Sequence, residues 1–189
     1  MSELKESRRV KMTKILLKES LIDLMKEKSI HTISIKDICD GADINRSTFY
    51  RHYDTQYELY DDIVQDLVFD IGEIYEQVKN DGYKATIFLT RLLEYIESKR
   101  EIFLIVLSDK GNIGVGEAYT KIISNFIDTE SYPELAVYVV NFIAAGMTSF
   151  LWTWLNQENR RPAAEVAMLM SSLMRHGLGR GIDNHPEKN

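Results

Sequence analysis

The sequence is poor in cysteine and proline: Cys39 is its only cysteine, and three prolines occur in 189 residues. One cysteine excludes an intramolecular disulfide, but a chain in which 44% of the residues are hydrophobic can bury a sizeable core without disulfides. Cys39 lies on an apolar helical face, so we interpret it as a core residue rather than a redox sensor. No strand pattern competes with the helical periodicity, and the sequence therefore predicts an all-α protein.

Motifs for catalysis and metal binding are also missing. The sequence has no glycine-rich phosphate loop, no paired metal-ligand motif and no nucleophile elbow. Three histidines, His31, His176 and His185, are far apart and share no helical face. We therefore expect no metal site and no cofactor, and an enzyme is the least favoured class of protein.

One predicted helix carries a stripe of carboxylates at spacings of three or four residues: Asp62, Asp66, Asp70 and Glu73. Such a stripe could bind a divalent cation, whose preferred ligands are oxygens. Because no histidine or cysteine is interleaved with it, we interpret the stripe as the solvated face of a long helix.

The net charge of −6 would by itself argue against a nucleic-acid partner, but the charge is unevenly distributed. Residues 1–53 carry 11 Lys and Arg against 8 Asp and Glu, whereas residues 54–189 carry 12 against 21. The positive part of the chain is thus its N-terminal part. No signal peptide precedes the first predicted helix, so we expect a cytoplasmic protein.

The segment from Ser34 to Tyr53, SIKDICDGADINRSTFYRHY, is typical of two short helices joined by a tight turn. Ser34 and Asp37 predict a capping box, and Gly41 is expected to end the first helix in a left-handed conformation. Asn45 is a suitable N-cap for the second helix, in which Phe49 and Tyr53 would point inward. A preceding helix over residues 8–28 would pack on these two through an apolar stripe: Leu17, Leu21, Leu24 and Met25.

The longer tract ISIKDICDGADINRSTFYRHYDTQYELYDDIV resembles the tetracycline-repressor-like (TetR) family of bacterial regulators, and the resemblance covers roughly residues 8–65. It implies a three-helix, helix-turn-helix DNA-binding domain followed by a helical regulatory domain. The sequence departs from the family pattern at Gln56, where the family usually has a phosphate-binding lysine. Thr55 with Glu58 still predicts a capping box, so this helix N-terminus could bind a phosphate through its backbone N–H groups.

Arg46 is the strongest candidate for reading bases, since an arginine gains nothing from the dipole at a helix start but can reach guanine O6 and N7. The other hydroxyl and basic groups of this helix suit phosphates or base edges. The resemblance implies DNA contacts at the same positions of the second helix, and it adds Lys36 in the first helix. The candidate contacts with double-stranded DNA are Lys36, Asn45, Arg46, Ser47, Thr48, Tyr50, Arg51, His52 and Thr55.

The rest of the chain predicts further helices over about 55–79, 83–97, 99–107 and 116–127, then two apolar ones. Residues 135–157 contain no charge and could span a bilayer, but the polar residues spread along them favour a buried bundle helix. The resemblance implies a homodimer through residues 133–157 and 162–178, and a charge at Met170 is expected to make the protein monomeric or insoluble. We divide the chain into a DNA-binding domain, residues 8–54, and a regulatory and dimerisation domain, residues 55–180.

The resemblance also implies a small-molecule effector of unknown identity, bound between helices of the second domain. An apolar pocket with a few polar groups could be lined by Phe103, Tyr119, Tyr138, Asn141, Phe142 and Trp152, although each of these could simply be a core residue. We expect a homodimeric repressor that leaves a near-palindromic operator when the effector binds. Two alternatives stay open: a protein-binding adaptor or co-activator on the same scaffold, and a membrane-anchored regulator if residues 135–157 insert.

Overall fold

The structure, a computed structural model, describes residues 8–82, 84–108 and 133–176. These three ranges contain helices and connecting turns and no strand, which confirms the predicted all-α class. One short 3-10 helix, Ile30–Thr32, joins the first two α-helices. The α-helices are α1 (Arg8–Glu27), α2 (Ile35–Ala42), α3 (Arg46–Phe49), α4 (Gln56–Asn80), α5 (Ala85–Ser98), α6 (Arg100–Leu107), α7 (Pro133–Asn156) and α8 (Ala163–His176). The helix predicted over residues 116–127 lies outside the described ranges.

Helices α1, α2 and α3 form a small three-helix unit at the N-terminal end. Leu17, Leu21 and Met25 of α1 are completely buried, as their helical spacing predicts. Cys39 of α2 is also buried in this core, and burial raises the pKa of its thiol above the usual value. The interpretation of Cys39 as a core residue is therefore confirmed.

The turn between α2 and α3 corrects the prediction for Gly41. The left-handed residue is Asp43 (φ 55°), which ends α2, whereas Gly41 lies inside that helix without a positive φ. Gly41 is needed for close packing: a Cβ at this position would come within 2.5 Å of Ser20 Oγ on α1. Ser20 Oγ donates a 2.8 Å hydrogen bond to the carbonyl of Ile38, so the hydroxyl is fixed where it blocks a side chain.

The acidic stripe of α4 is more than a solvated face. Asp62 and Asp66 accept salt bridges from Lys18 of α1, at 3.1 and 2.6 Å, and Asp70 accepts a 2.6 Å hydrogen bond from Tyr95 of α5. These carboxylates connect α4 to its neighbours on two sides. Across the described ranges, no three His, Cys, Asp or Glu side chains are grouped so that they could hold a metal ion.

Helix α8 packs most extensively against α5, and Thr86 of α5 donates a 3.3 Å hydrogen bond to Ser171 at this contact. Met170 is only 3% exposed and belongs to the core of the chain itself. A charge there would disturb the fold of the protomer itself, so an insoluble protein is the outcome that this burial favours, and Met170 does not report on a dimer alone. Large apolar side chains of α7 and α8 that do reach the surface are Tyr138, Phe142, Trp152, Met168 and Met174.

Helix α6 connects the N-terminal unit to the remaining helices. Glu101 of α6 forms a 2.8 Å salt bridge with Lys26 near the end of α1. Its neighbour Arg100 donates a 2.9 Å hydrogen bond from Nε to the carbonyl of Leu155, near the end of α7. Two consecutive residues of α6 thus contact α1 and the C-terminal end of α7.

Candidate nucleic-acid interface

The first turn of α2 is held by the predicted capping box. The Asp37 N–H donates to Ser34 Oγ at 3.2 Å, and the Ser34 N–H donates to the Asp37 carboxylate at 3.1 Å. The hydrogen bonds from the Ser34 side chain and backbone hold the pKa of Asp37 below its usual value. Lys36 lies in this rigid first turn with its side chain exposed.

Helix α3 begins after Asn45, which has the extended N-cap backbone but makes no side-chain capping hydrogen bond. Its α-helical part is short and ends at Phe49. The backbone continues in tighter turns, because the His52 N–H donates to Phe49 O at 2.8 Å and the Tyr53 N–H donates to the same oxygen at 3.0 Å. Asn45 is thus an N-cap by position only.

A buried aromatic pair orients this segment, as predicted. Phe49 is completely buried, Tyr53 is 6% exposed, and their ring centroids are 5.8 Å apart. Because these two rings point into the core, the intervening side chains must point away from it. Arg46, Ser47, Tyr50 and Arg51 are exposed, and Thr48 and His52 are half-buried.

The outward face of α3 is therefore a compact group of hydrogen-bond donors. Arg51 donates from Nη2 to Thr48 Oγ1 at 3.0 Å, which orients its guanidinium group along the segment. Arg46 at the opposite end is exposed at the first helical position. Arginine forks and hydroxyls in this arrangement suit the phosphates and base edges of a major groove.

The start of α4 differs in one detail from the predicted capping box. Thr55 Oγ1 accepts a 3.2 Å hydrogen bond from the Glu58 N–H, as expected. The Glu58 carboxylate reaches one residue further back and accepts a 2.7 Å hydrogen bond from the Asp54 N–H. Thr55 is exposed and Gln56 is half-buried, so this helix start is accessible without the lysine of the family pattern.

Sequence reasoning missed the contacts that fix α3 against α4. Tyr53 Oη donates a 2.5 Å hydrogen bond to Asp62, and the same carboxylate receives Lys18. Burial disfavours the charged form of Asp62, but the hydrogen bonds from Tyr53 and Lys18 outweigh it and hold the pKa below its usual value. No sequence pattern links a tyrosine to a carboxylate nine residues later, so only the fold reveals this contact.

The predicted effector-binding residues are not all in one environment. Phe103 is buried on α6, whereas Tyr138 and Phe142 of α7 are 71% and 81% exposed, and Trp152 is 40% exposed. Asn141 is exposed on the same helix, and Tyr119 lies outside the described residues. A shared pocket for these residues stays a prediction.

The fold and this surface define a helix-turn-helix DNA-binding protein: a short helix follows a tight turn, is fixed by buried aromatic rings and presents arginines and hydroxyls to solvent. Residues 84–176 match the family TetR_C_8, described as transcriptional regulator C-terminal region. This chain belongs to the TetR family of transcriptional regulators. It is therefore a regulator and not an enzyme.

Individual relatives agree with this assignment. Over 99 residues the chain is 22% identical to an uncharacterized HTH-type transcriptional regulator, YxbF, from Bacillus subtilis (strain 168). That match covers 49% of this chain and 26% of the relative, so the match spans about a quarter of the relative's length.

Two solved structures share the fold. A TetR transcriptional regulator from Streptococcus agalactiae 2603V has a TM-score of 0.60 and 18% identity, over 84% of this chain and 91% of the other. The dihydroxyacetone kinase operon activator DhaS has a TM-score of 0.54 and 20% identity, over 86% and 93%. Among the helices described for our chain, none is both long and apolar enough to cross a membrane.

Proposed function

We propose that the protein is a homodimeric, cytoplasmic repressor that binds a near-palindromic operator and is released by a small-molecule effector. Residues 8–54 would form its DNA-binding domain, and residues 55–180 its regulatory and dimerisation domain. The observation that carries the proposal is the exposed donor surface of α3, held over the buried Phe49 and Tyr53. In this proposal Arg46 reads bases, and the remaining candidate residues from Lys36 to Thr55 position the protein on the phosphates.

The exposed apolar surface of α7 and α8 supports a dimer. Phe142 is 81% exposed and lies in the uncharged stretch of residues 135–157, and Met168 of α8 is 57% exposed. A two-fold interface through residues 133–157 and 162–178 would bury such side chains on both chains at once. Each protomer would then present one α3 segment to one half-site.

Effector release is proposed to act through the contacts of α4 and α6 with the N-terminal unit. Asp62 and Asp66 of α4 bind Lys18, and Glu101 of α6 binds Lys26. An effector that favours a different arrangement of α4 or α6 would shift the separation of the two α3 segments away from the half-site spacing. Repression would then be relieved by loss of operator binding.

A co-activator or adaptor is the second candidate function. One structural neighbour, DhaS, is described as an operon activator, so this scaffold also occurs in an activator. In that case a protein partner, rather than a small molecule, would bind the second domain, and its binding would leave the DNA complex intact.

Selection of genomic fragments by the purified protein tests the proposal. The wild type is compared at physiological salt with an Arg46→Ala, Tyr50→Ala double variant, both of whose changes are at exposed positions. Enrichment of one near-palindrome by the wild type alone would support specific operator binding and identify the regulated genes. If the wild type and the double variant enrich the same fragments equally, α3 is not the reading element.

A further inference from the structure

Two residues with no role in the proposed interface form a hydrogen-bonded pair beside it. His31 Nδ1 lies 3.1 Å from Tyr57 Oη, and the two rings are tilted with centroids 5.9 Å apart. His31 belongs to the 3-10 helix that precedes α2, and Tyr57 is the second residue of α4. The pair therefore joins the segment leading into α2 to the first turn of α4.

The chemistry of this pair always leaves a donor available. If Tyr57 donates its hydroxyl proton to Nδ1, the neutral imidazole carries its own proton on Nε2, which is free to donate. If Nδ1 carries the proton and donates to the tyrosine oxygen, the hydroxyl proton of Tyr57 is free instead. His31 is exposed and Tyr57 is half-buried, so either donor can meet a group from outside the protein.

The surroundings of the pair favour an anionic acceptor. Lys28 and Lys36 both lower the pKa of Asp37 through their charge, so both lysines lie near the N-terminal turn of α2. Both are exposed, and His31 lies between them in sequence. On the other side, Tyr57 follows the exposed Thr55, which caps α4. The pair thus joins the segment before α2 to the first turn of α4, and the proposed function assigns phosphate contacts to residues of both helix starts.

We propose that His31 and Tyr57 act together as a phosphate-binding pair that donates one hydrogen bond to the DNA backbone in each half-site. This inference rests on the proposed function, because it needs the α3 surface to bind duplex DNA. Gln56 has no charge with which to replace the phosphate-binding lysine of the family pattern. The pair would supply a phosphate contact at this helix start instead. Its contribution is directional and independent of base sequence.

Methylphosphonate scanning tests this inference. The probe is the duplex enriched in the genomic selection, prepared as a series in which one phosphate at a time is replaced by an uncharged methylphosphonate. Binding is compared for the wild type, the single variant Tyr57→Phe, and the double variant His31→Ala, Tyr57→Phe. Tyr95→Phe is the matched control, since it also removes a tyrosine hydroxyl bonded to another side chain, but on α5.

At one phosphate position of each half-site, we expect the effect of the methylphosphonate to depend on whether the His31–Tyr57 pair is present. There, the methylphosphonate weakens wild-type binding about tenfold, the size of one hydrogen bond to a charged group, and causes no further loss in the double variant. Tyr57→Phe keeps the ring and its packing, and it shows the same coupling if the tyrosine hydroxyl is the donor. A wild-type profile for Tyr57→Phe, together with the coupling in the double variant, assigns the donor to His31. Tyr95→Phe should reproduce the wild-type profile.

Equal losses for wild type and both variants at every position would overturn the phosphate contact and leave the proposed function intact. The pair would then only connect the 3-10 helix to α4. A wild type that binds neither the enriched duplex nor a mixed-sequence duplex of equal length would overturn the proposed function and this inference together.

Discussion

Tyr53 Oη donates a 2.5 Å hydrogen bond to Asp62 Oδ2, and this contact joins the segment that follows α3 to α4. Asp62 also binds Lys18 of α1 at 3.1 Å, so one carboxylate of α4 holds two elements of the N-terminal unit. The orientation of α3 relative to the rest of the protein therefore depends on side chains outside the helix-turn-helix itself.

Removal of the Tyr53 hydroxyl should lower stability. Tyr53→Phe keeps the buried ring but leaves Asp62 with one hydrogen bond fewer, and we expect a loss of about 1 kcal/mol in the free energy of unfolding. Urea titration of the purified protein measures it. Tyr50→Phe is the matched control, because the Tyr50 side chain is 54% exposed. Equal stability of the two variants would contradict a stabilising role for the Tyr53–Asp62 contact.

The contribution of Asp62 should depend on pH. Its pKa in the folded protein lies below the usual value, so around that pH the unfolded chain binds more protons and stability rises with pH. The stabilising contribution is present above the unfolded pKa of about 3.9 and is lost as pH falls through the folded value. The unfolding free energies of wild type and Asp62→Asn should differ by a constant amount near neutral pH and converge below about pH 4. A difference that grows on acidification would contradict this sign.

The packing of α1 on α2 should make Gly41→Ala destabilising, although alanine is intrinsically the better helix former by about 1 kcal/mol. The new Cβ would lie 2.5 Å from Ser20 Oγ, so the hydroxyl must leave its hydrogen bond with Ile38 or the helices must separate. In a Ser20→Ala background the nearest remaining atom, Ser20 Cβ, is 3.6 Å away, and the same change should be neutral or stabilising. A thermodynamic cycle over the four proteins measures this coupling, and additive effects would contradict it.

Local patterns are sufficient to predict the helices and the buried face of the helix-turn-helix segment. Two predictions that depend on neighbours within one or two helical turns are confirmed. They are the capping box at Ser34 and Asp37 and the buried positions of Phe49 and Tyr53. Interactions between residues three or four positions apart determine such features, so they can be predicted from the sequence without knowledge of the fold.

Features that depend on distant residues were predicted poorly. The backbone freedom of Gly41 predicts a turn residue, whereas Gly41 lies within α2 and packs closely against Ser20, which is far earlier in the chain. The sequence predicts a solvated face, which fits the exposed Asp66 but not the half-buried Asp62, whose partner Lys18 lies on another helix. Periodicity places Met170 on an apolar helical face, but it cannot distinguish burial within a chain from burial between chains.

Arg46→Ala should weaken binding to the selected duplex by about 1–3 kcal/mol and relax the preference for one base position, as expected for a lost contact with guanine. Lys36→Ala is the comparison, because a phosphate contact should weaken binding to all sequences alike and reduce its salt dependence. Titrations against duplexes that vary at each position measure both effects. An unchanged preference in Arg46→Ala would exclude a base-reading role for this residue.

A charge on the exposed face of α7 should dissociate the proposed dimer. Phe142 is 81% exposed in the single chain, so Phe142→Glu leaves the core of the protomer intact while placing a charge in the interface, where it would be buried without a partner. Sedimentation velocity at micromolar concentration should show a dimer for the wild type and a folded monomer for the variant. Phe69→Glu is the matched control, since Phe69 is 68% exposed on α4, and it should stay dimeric. A monomeric wild type, or a Phe142→Glu protein that remains dimeric, would contradict the interface.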